Sequence, residues 1–72
     1  MERGDVYSQD GACYLVLEEK AKNLVKVIIG KDMMMMDIIG YGIAAKSKLT
    51  YKVTNMPDEL IGFFEYRIKN EC

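Results

Sequence analysis

Asp10-Gly11 stands between two β-forming runs, GDVYSQ before it and ACYLVLEE after it, and no other part of the chain restricts its fold as much. A two-residue Asp-Gly link tolerates positive φ at both positions, which is what a tight antiparallel hairpin requires. A first β-hairpin is therefore expected around it. After a polar break at KAKN (20–23), LVKVII resumes with Val25, Val27 and Ile29 on one face and Lys26 on the other, the pattern of a third strand.

Further on, KSKLTYKVTN sets Leu49, Tyr51 and Val53 on one face against Thr50, Lys52 and Thr54, the period of a half-buried strand. Parity places Tyr51 with the core. In NMPDELIGFFEYRIKNEC, Asn55 can cap a helix, Pro57 suits its first turn, and Asp58 and Glu59 complement the helix dipole. Leu60, Ile61, Phe64 and Ile68 then form one apolar stripe, with Gly62 weakening the helix by about 1 kcal/mol. A final strand through FFEYRI is the alternative for 58–68.

The run KDMMMMDIIGYG (31–42) leaves two readings open. As a strand, Met34, Met36 and Ile38 face one way, and Met33, Met35, Asp37 and Ile39 the other. Asp37 resists unpaired burial, so the face of Met33, Met35 and Ile39 is expected to be the exposed one. As a helix capped by Asp32, the segment would make barely two turns before Gly40. Gly40 to Gly42 reads as a turn or bulge that holds Tyr41 out at a loop tip.

With 72 residues, half of them apolar and 29% charged, the chain suits a single folded domain, residues 1–72, of modest stability, roughly 3–5 kcal/mol. Acids and bases interleave to a net charge of −1, which disfavours nucleic acid as a partner. Histidine and tryptophan are absent. Acid/base catalysis near neutral pH thereby loses its usual side chain, and metal binding its commonest ligand. The adjacent pairs Glu18-Glu19 and Asp58-Glu59 carry divergent side chains, so no acid/base pair forms and an enzyme is not expected.

No cofactor or metal is expected either. Asp32 and Asp37 are too few for an oxygen-ligated cation, and four adjacent methionines cannot all point at one soft ion. Glycines show no phosphate-cradling spacing. Cys13, within ACYLVL, reads as a small buried hydrophobe and Cys72 as exposed. The opening MERGDVYSQD has no apolar signal core, and the apolar stretch 33–45 is interrupted and too short to span a bilayer. A reducing cytoplasm, without membrane association, is the expected location.

The order GDVY, turn, YLVL, polar break, NLVKVII resembles the opening of small SH3-like barrels, among them the MazF/PemK toxin ribonucleases, over residues 4–29. Those toxins are longer, carry an Arg-Pro step before their second-strand valines, and place catalytic Arg and Ser/Thr residues just beyond it. Tyr14-Leu15 occupies that step here and Glu18-Glu19 follows, so the resemblance implies a fold and not a ribonuclease. The expected fold class is β-dominated α+β: a small twisted antiparallel sheet or SH3-like open barrel of four to five strands with a C-terminal helix.

In general character the chain also resembles the small early proteins with which bacteriophages bind and redirect host enzymes. The functional expectation is a non-enzymatic protein-protein interaction module, an inhibitor or adaptor that modulates a host protein through Met33, Met35, Asp37, Ile39 and Tyr41. Adaptable thioethers suit such a surface, which could equally pair two copies into a homodimer. The alternative is an RNA-binding or degenerate toxin-family protein on the same barrel, with Tyr7, Lys46, Lys48 and Lys52 as its contacts.

Overall fold

The computed structural model describes every residue except Met33, Met36 and Cys72, together with the backbone but not the side chain of Glu71. Five strands and one helix follow in order: β1 (Asp5–Gln9), β2 (Ala12–Ala21), β3 (Leu24–Gly30), β4 (Ile38–Ala45), a short 3-10 turn (Lys46–Lys48), β5 (Tyr51–Asn55) and α1 (Asp58–Glu71). They form one antiparallel sheet in the order β4-β3-β2-β1-β5, so that β5 returns across the fold to pair with β1. This is the expected β-dominated α+β class.

The Asp10-Gly11 hairpin forms as its chemistry requires. Both residues hold positive φ, 50° and 80°, and Gln9 pairs with Ala12 across the turn. The break expected over 20–23 is narrower than the polarity suggests, because β2 continues through Ala21 as an exposed ribbon paired with β3. Glu18 lies opposite Lys26 there and forms an ion pair with Lys20 at 2.7 Å.

The sheet buries apolar side chains on both faces. Under α1 lie Val6, Leu15, Leu17 and Ile28, closed over by Ile61 and Phe64 of the helix. On the opposite face Val16, Val25 and Val27 gather around Leu49, which comes off the 3-10 turn. Strand β2 alternates between the two clusters, and that is why its middle reads as a continuous apolar run rather than a half-polar one. The helix reading of 58–68 holds and the final-strand alternative is overturned. Within the stripe, Ile61 and Phe64 are buried, Ile68 packs against them, and Leu60 is exposed.

Four expectations are corrected. Asn55 does not cap α1: it ends β5, and its side-chain amide donates to Asp5 Oδ1 at 2.9 Å, while the Pro57 carbonyl accepts from Leu60 and Ile61. Tyr51 is exposed rather than core, since Leu49 leaves the 3-10 turn with φ −98° and ψ 83° and the alternation restarts at β5. Residues Gly40 to Gly42 are neither a turn nor a loop tip but the middle of β4, with Tyr41 opposite Ile28 and Gly42 opposite Val27.

The fourth concerns the methionine run, where the described residues are neither strand nor helix. The Met34 amide donates to Asp32 Oδ1 and the Met35 amide to the Asp32 carbonyl, and the Lys31 amide closes the loop onto the Asp37 carbonyl. Met35 takes φ 56° and turns inward to full burial, while Met34 is exposed. The expected assignment of Met34 to the core and Met35 to the surface is therefore reversed. Met33 and Met36 lie outside the described residues.

Candidate interaction surface

Strand β4 ends the sheet on one side. Its eight residues, IIGYGIAA, carry no charge and no proline, and Ile39, Tyr41 and Ile43 are 63%, 53% and 54% exposed. Side chains on a strand alternate between faces, so these three form one apolar row beyond the cover of α1. Between Tyr41 and the helix lies a shallow recess bordered by Leu17, Lys26, Ile68 and Lys69.

The other face of β4 is built from small residues. Gly42 and Ala44 leave a groove lined by Val27, Ile29, Tyr14 and Leu49, and a Cβ at Gly42 would meet nothing within 4 Å. A segment laid along β4 would thus meet large apolar side chains on one face and an open groove on the other. The opposite edge differs. Strand β5, YKVTN, is five residues long and carries Lys52, the kind of charge that discourages pairing at a sheet edge.

A second apolar patch surrounds the start of α1, where Met34, Pro57, Leu60 and Phe63 border a depression over Met56 and Phe64. Phe63 stacks edge-on against Phe64 at 5.6 Å, and the Arg67 guanidinium lies 6.0 Å from the Phe63 ring centre.

Of the five expected contact residues, Ile39 and Tyr41 share the β4 row, and Asp37 is exposed just before it. Met35 is fully buried and cannot contribute, and Met33 lies outside the described residues. Ile43 was not expected. Its signal is the alternation Ile39, Tyr41, Ile43, which a reading of Gly40 to Gly42 as a turn conceals.

Of the residues expected to contact RNA, Tyr7 lies opposite Lys52 across β1 and β5, and two of the three lysines are held in ion pairs. Lys46 is paired with Glu19, lowering that carboxyl through a hydrogen bond and charge attraction. Lys52 lies 3.1 Å from Asp5, whose hydrogen bond and charge raise the lysine. Tyr7 packs against the Leu49 cluster, and among the described residues Lys48 makes no ion pair.

Cys13 is buried, and burial followed by the charge of Asp32 pushes its thiol above the ordinary value, away from the reactive thiolate. Among the described residues no group of three or more acidic or cysteine side chains is placed to hold a metal ion, and no helix is long and apolar enough to cross a membrane. Compared with known proteins, the chain matches no family model, no curated protein and no solved structure.

Proposed function

We propose that this chain is a small non-enzymatic protein-interaction module, of the adaptor or inhibitor kind, which binds by taking an extended partner segment onto the outer edge of β4. The observation that carries this reading is the edge itself. Exposed sheet edges in natural proteins are blunted by charges, proline or brevity, because an unblunted edge pairs with whatever strand it meets. Eight uncharged residues with three large exposed apolar side chains have none of those protections. The register irregularity at Ile29/Gly30 touches only the start of the strand.

Strand addition draws affinity from main-chain hydrogen bonds and specificity from alternate side chains. A bound segment would set one row of its side chains against Ile39, Tyr41 and Ile43 and the other over the Gly42 groove. The same proposal reads the sheet as SH3-like, supported by three consecutive antiparallel strands over the stretch that resembles such barrels and by the return of β5 beside β1. With Lys46 and Lys52 each held by a carboxylate, no observation favours the RNA-binding reading.

Affinity capture from the source cells with three baits tests the proposal: the native chain, Ile43→Lys, and Tyr51→Lys as a control on the opposite edge. The native and Tyr51→Lys baits are expected to retain the same protein, and Ile43→Lys to lose it with an unchanged circular dichroism spectrum. Identical capture by all three would remove β4 from the interaction.

A further inference from the structure

The exposed centre of β4 reads Ile39-Gly40-Tyr41-Gly42-Ile43, the same in both directions. A palindrome has a specific consequence on a sheet edge. When two identical strands pair antiparallel about a two-fold axis perpendicular to the sheet, each residue meets its mirror position, and both members of a pair point to the same face. With the axis at Tyr41, Ile39 of one copy lies opposite Ile43 of the other, Gly40 opposite Gly42, and Tyr41 opposite Tyr41. Large side chains then meet large ones, on the face where this row is already exposed, and glycines meet glycines.

The flanking charges agree with that direction. Asp37 stands exposed before the strand, and Lys48, exposed and in no ion pair among the described residues, follows it, Lys46 being held by Glu19. Antiparallel pairing carries the Asp37 end of each copy to the lysine end of the other, whereas parallel pairing would set like charges together.

We infer that the occupant of the β4 edge is a second copy of this chain, joined through a Tyr41-centred antiparallel pairing that merges two five-stranded sheets into one continuous sheet. The inference rests on the proposed role of the β4 edge and names its partner. Such a contact is isologous: it closes on itself, hides both unprotected edges and leaves the Met34, Leu60 and Phe63 patch of each copy exposed.

Sedimentation of the full chain from micromolar to millimolar concentration tests it, with fold integrity followed by circular dichroism. The native chain is expected to approach twice its 8.2 kDa mass. Tyr41→Lys sets two like charges face to face on the axis and is expected to give a monomer. Ile39→Asp alone weakens the dimer, and Ile39→Asp/Ile43→Lys in one chain restores it, because each introduced acid then meets an introduced base across the axis, twice. If Tyr41→Lys fails to fold, the charge-swap pair decides by itself.

A dimer that survives these variants and dissolves with Phe63→Lys lies on the helix patch and overturns the inference. A native chain that is monomeric throughout also overturns it. In that case Ile43-dependent capture of a different protein would preserve the β4 edge as a binding surface, and the absence of such capture would remove both readings.

Discussion

The Met35 thioether fills the space where Gly30 lacks a side chain: a Cβ built at residue 30 would sit 2.6 Å from Sδ, 2.9 Å from Cε and 3.1 Å from the Met35 Cα. This contact explains how the loop before β4 is held, since Met35 is fully buried and its left-handed backbone turns the chain toward the sheet. Gly30→Ala therefore requires the buried thioether to shift and the Met35 backbone to give by a few tenths of an ångström. A loss of about 1–3 kcal/mol is expected, the range of an overpacked core. Met35→Ala should cost about 2–5 kcal/mol through the cavity it leaves. The double variant should cost less than the sum, since the two changes share one space. Urea unfolding of the three variants measures the coupling, and strict additivity would show that the two residues do not press on each other.

Two glycines should respond to alanine with opposite signs. Gly4 has φ 97°, and a Cβ there would come within 2.4 Å of the Met56 carbonyl oxygen. It also donates to the Val16 carbonyl and accepts from the Met56 amide, tying the chain before β1 to β2 and to the end of β5. Gly4→Ala is expected to cost about 1–3 kcal/mol from the backbone conformation alone, with the clash in addition. Gly62 lies inside α1 with nothing within 4 Å of an added Cβ, so Gly62→Ala should stabilise by about 0.5–1 kcal/mol. Thermal melts of the two variants should move in opposite directions.

The local grammar of the chain was legible where each element carries its own signal. Asp10-Gly11 specifies its hairpin, the Val25 to Ile29 run specifies β3, and Pro57 to Glu59 followed by a three-and-four spacing specifies α1. Alternation misleads where tertiary contacts override it. Asp32 binds the amides of Met34 and Met35, so these two residues lie in a turn and strand parity has no meaning for them. Gly40 and Gly42 remain extended because β3 pairs along their whole length, a constraint that glycine content cannot reveal. The candidate surface was half visible for the same reason: Ile39 and Tyr41 belong to it, but Ile43 joins them only when the segment is a strand.

Arg3 joins the helix to the sheet. Its guanidinium donates to the Leu17 carbonyl at 3.2 Å, to Asp58 Oδ1 at 3.3 Å and to Glu65 Oε1 at 2.6 Å, linking β2 to two turns of α1. The group is partly exposed, so each ion pair should contribute less than about 1 kcal/mol. Arg3→Ala is expected to cost about 1–2 kcal/mol in all, once the carbonyl hydrogen bond is included. Arg3→Lys should recover little of this, because a compact ammonium cannot reproduce the planar fork. Denaturation at low and high salt separates the parts: the ion-pair share shrinks with salt and the carbonyl share does not. A loss wholly abolished by salt would show that the Leu17 contact contributes nothing.

Asp5 is a buried carboxylate whose ionised form the fold favours. It is buried at the start of β1, and burial alone would push its carboxyl upward. The Glu2 amide, the Asn55 side-chain amide and Lys52 together outweigh burial and hold the carboxyl below its ordinary value. A carboxyl depressed in the folded state binds protons more readily when unfolded, so folding favours its ionised form. Its contribution is complete above the unfolded value, about 3.9, and is lost as pH falls through that value toward the lower folded one. Asp5→Asn should lower stability at neutral pH by about 1–3 kcal/mol, since a charged acceptor is removed from three donors. The variant should also show a shallower fall in stability below about pH 4. Urea midpoints measured from neutral pH into the acid range test both effects, and parallel curves for the native chain and Asp5→Asn would assign the acid sensitivity to other carboxylates.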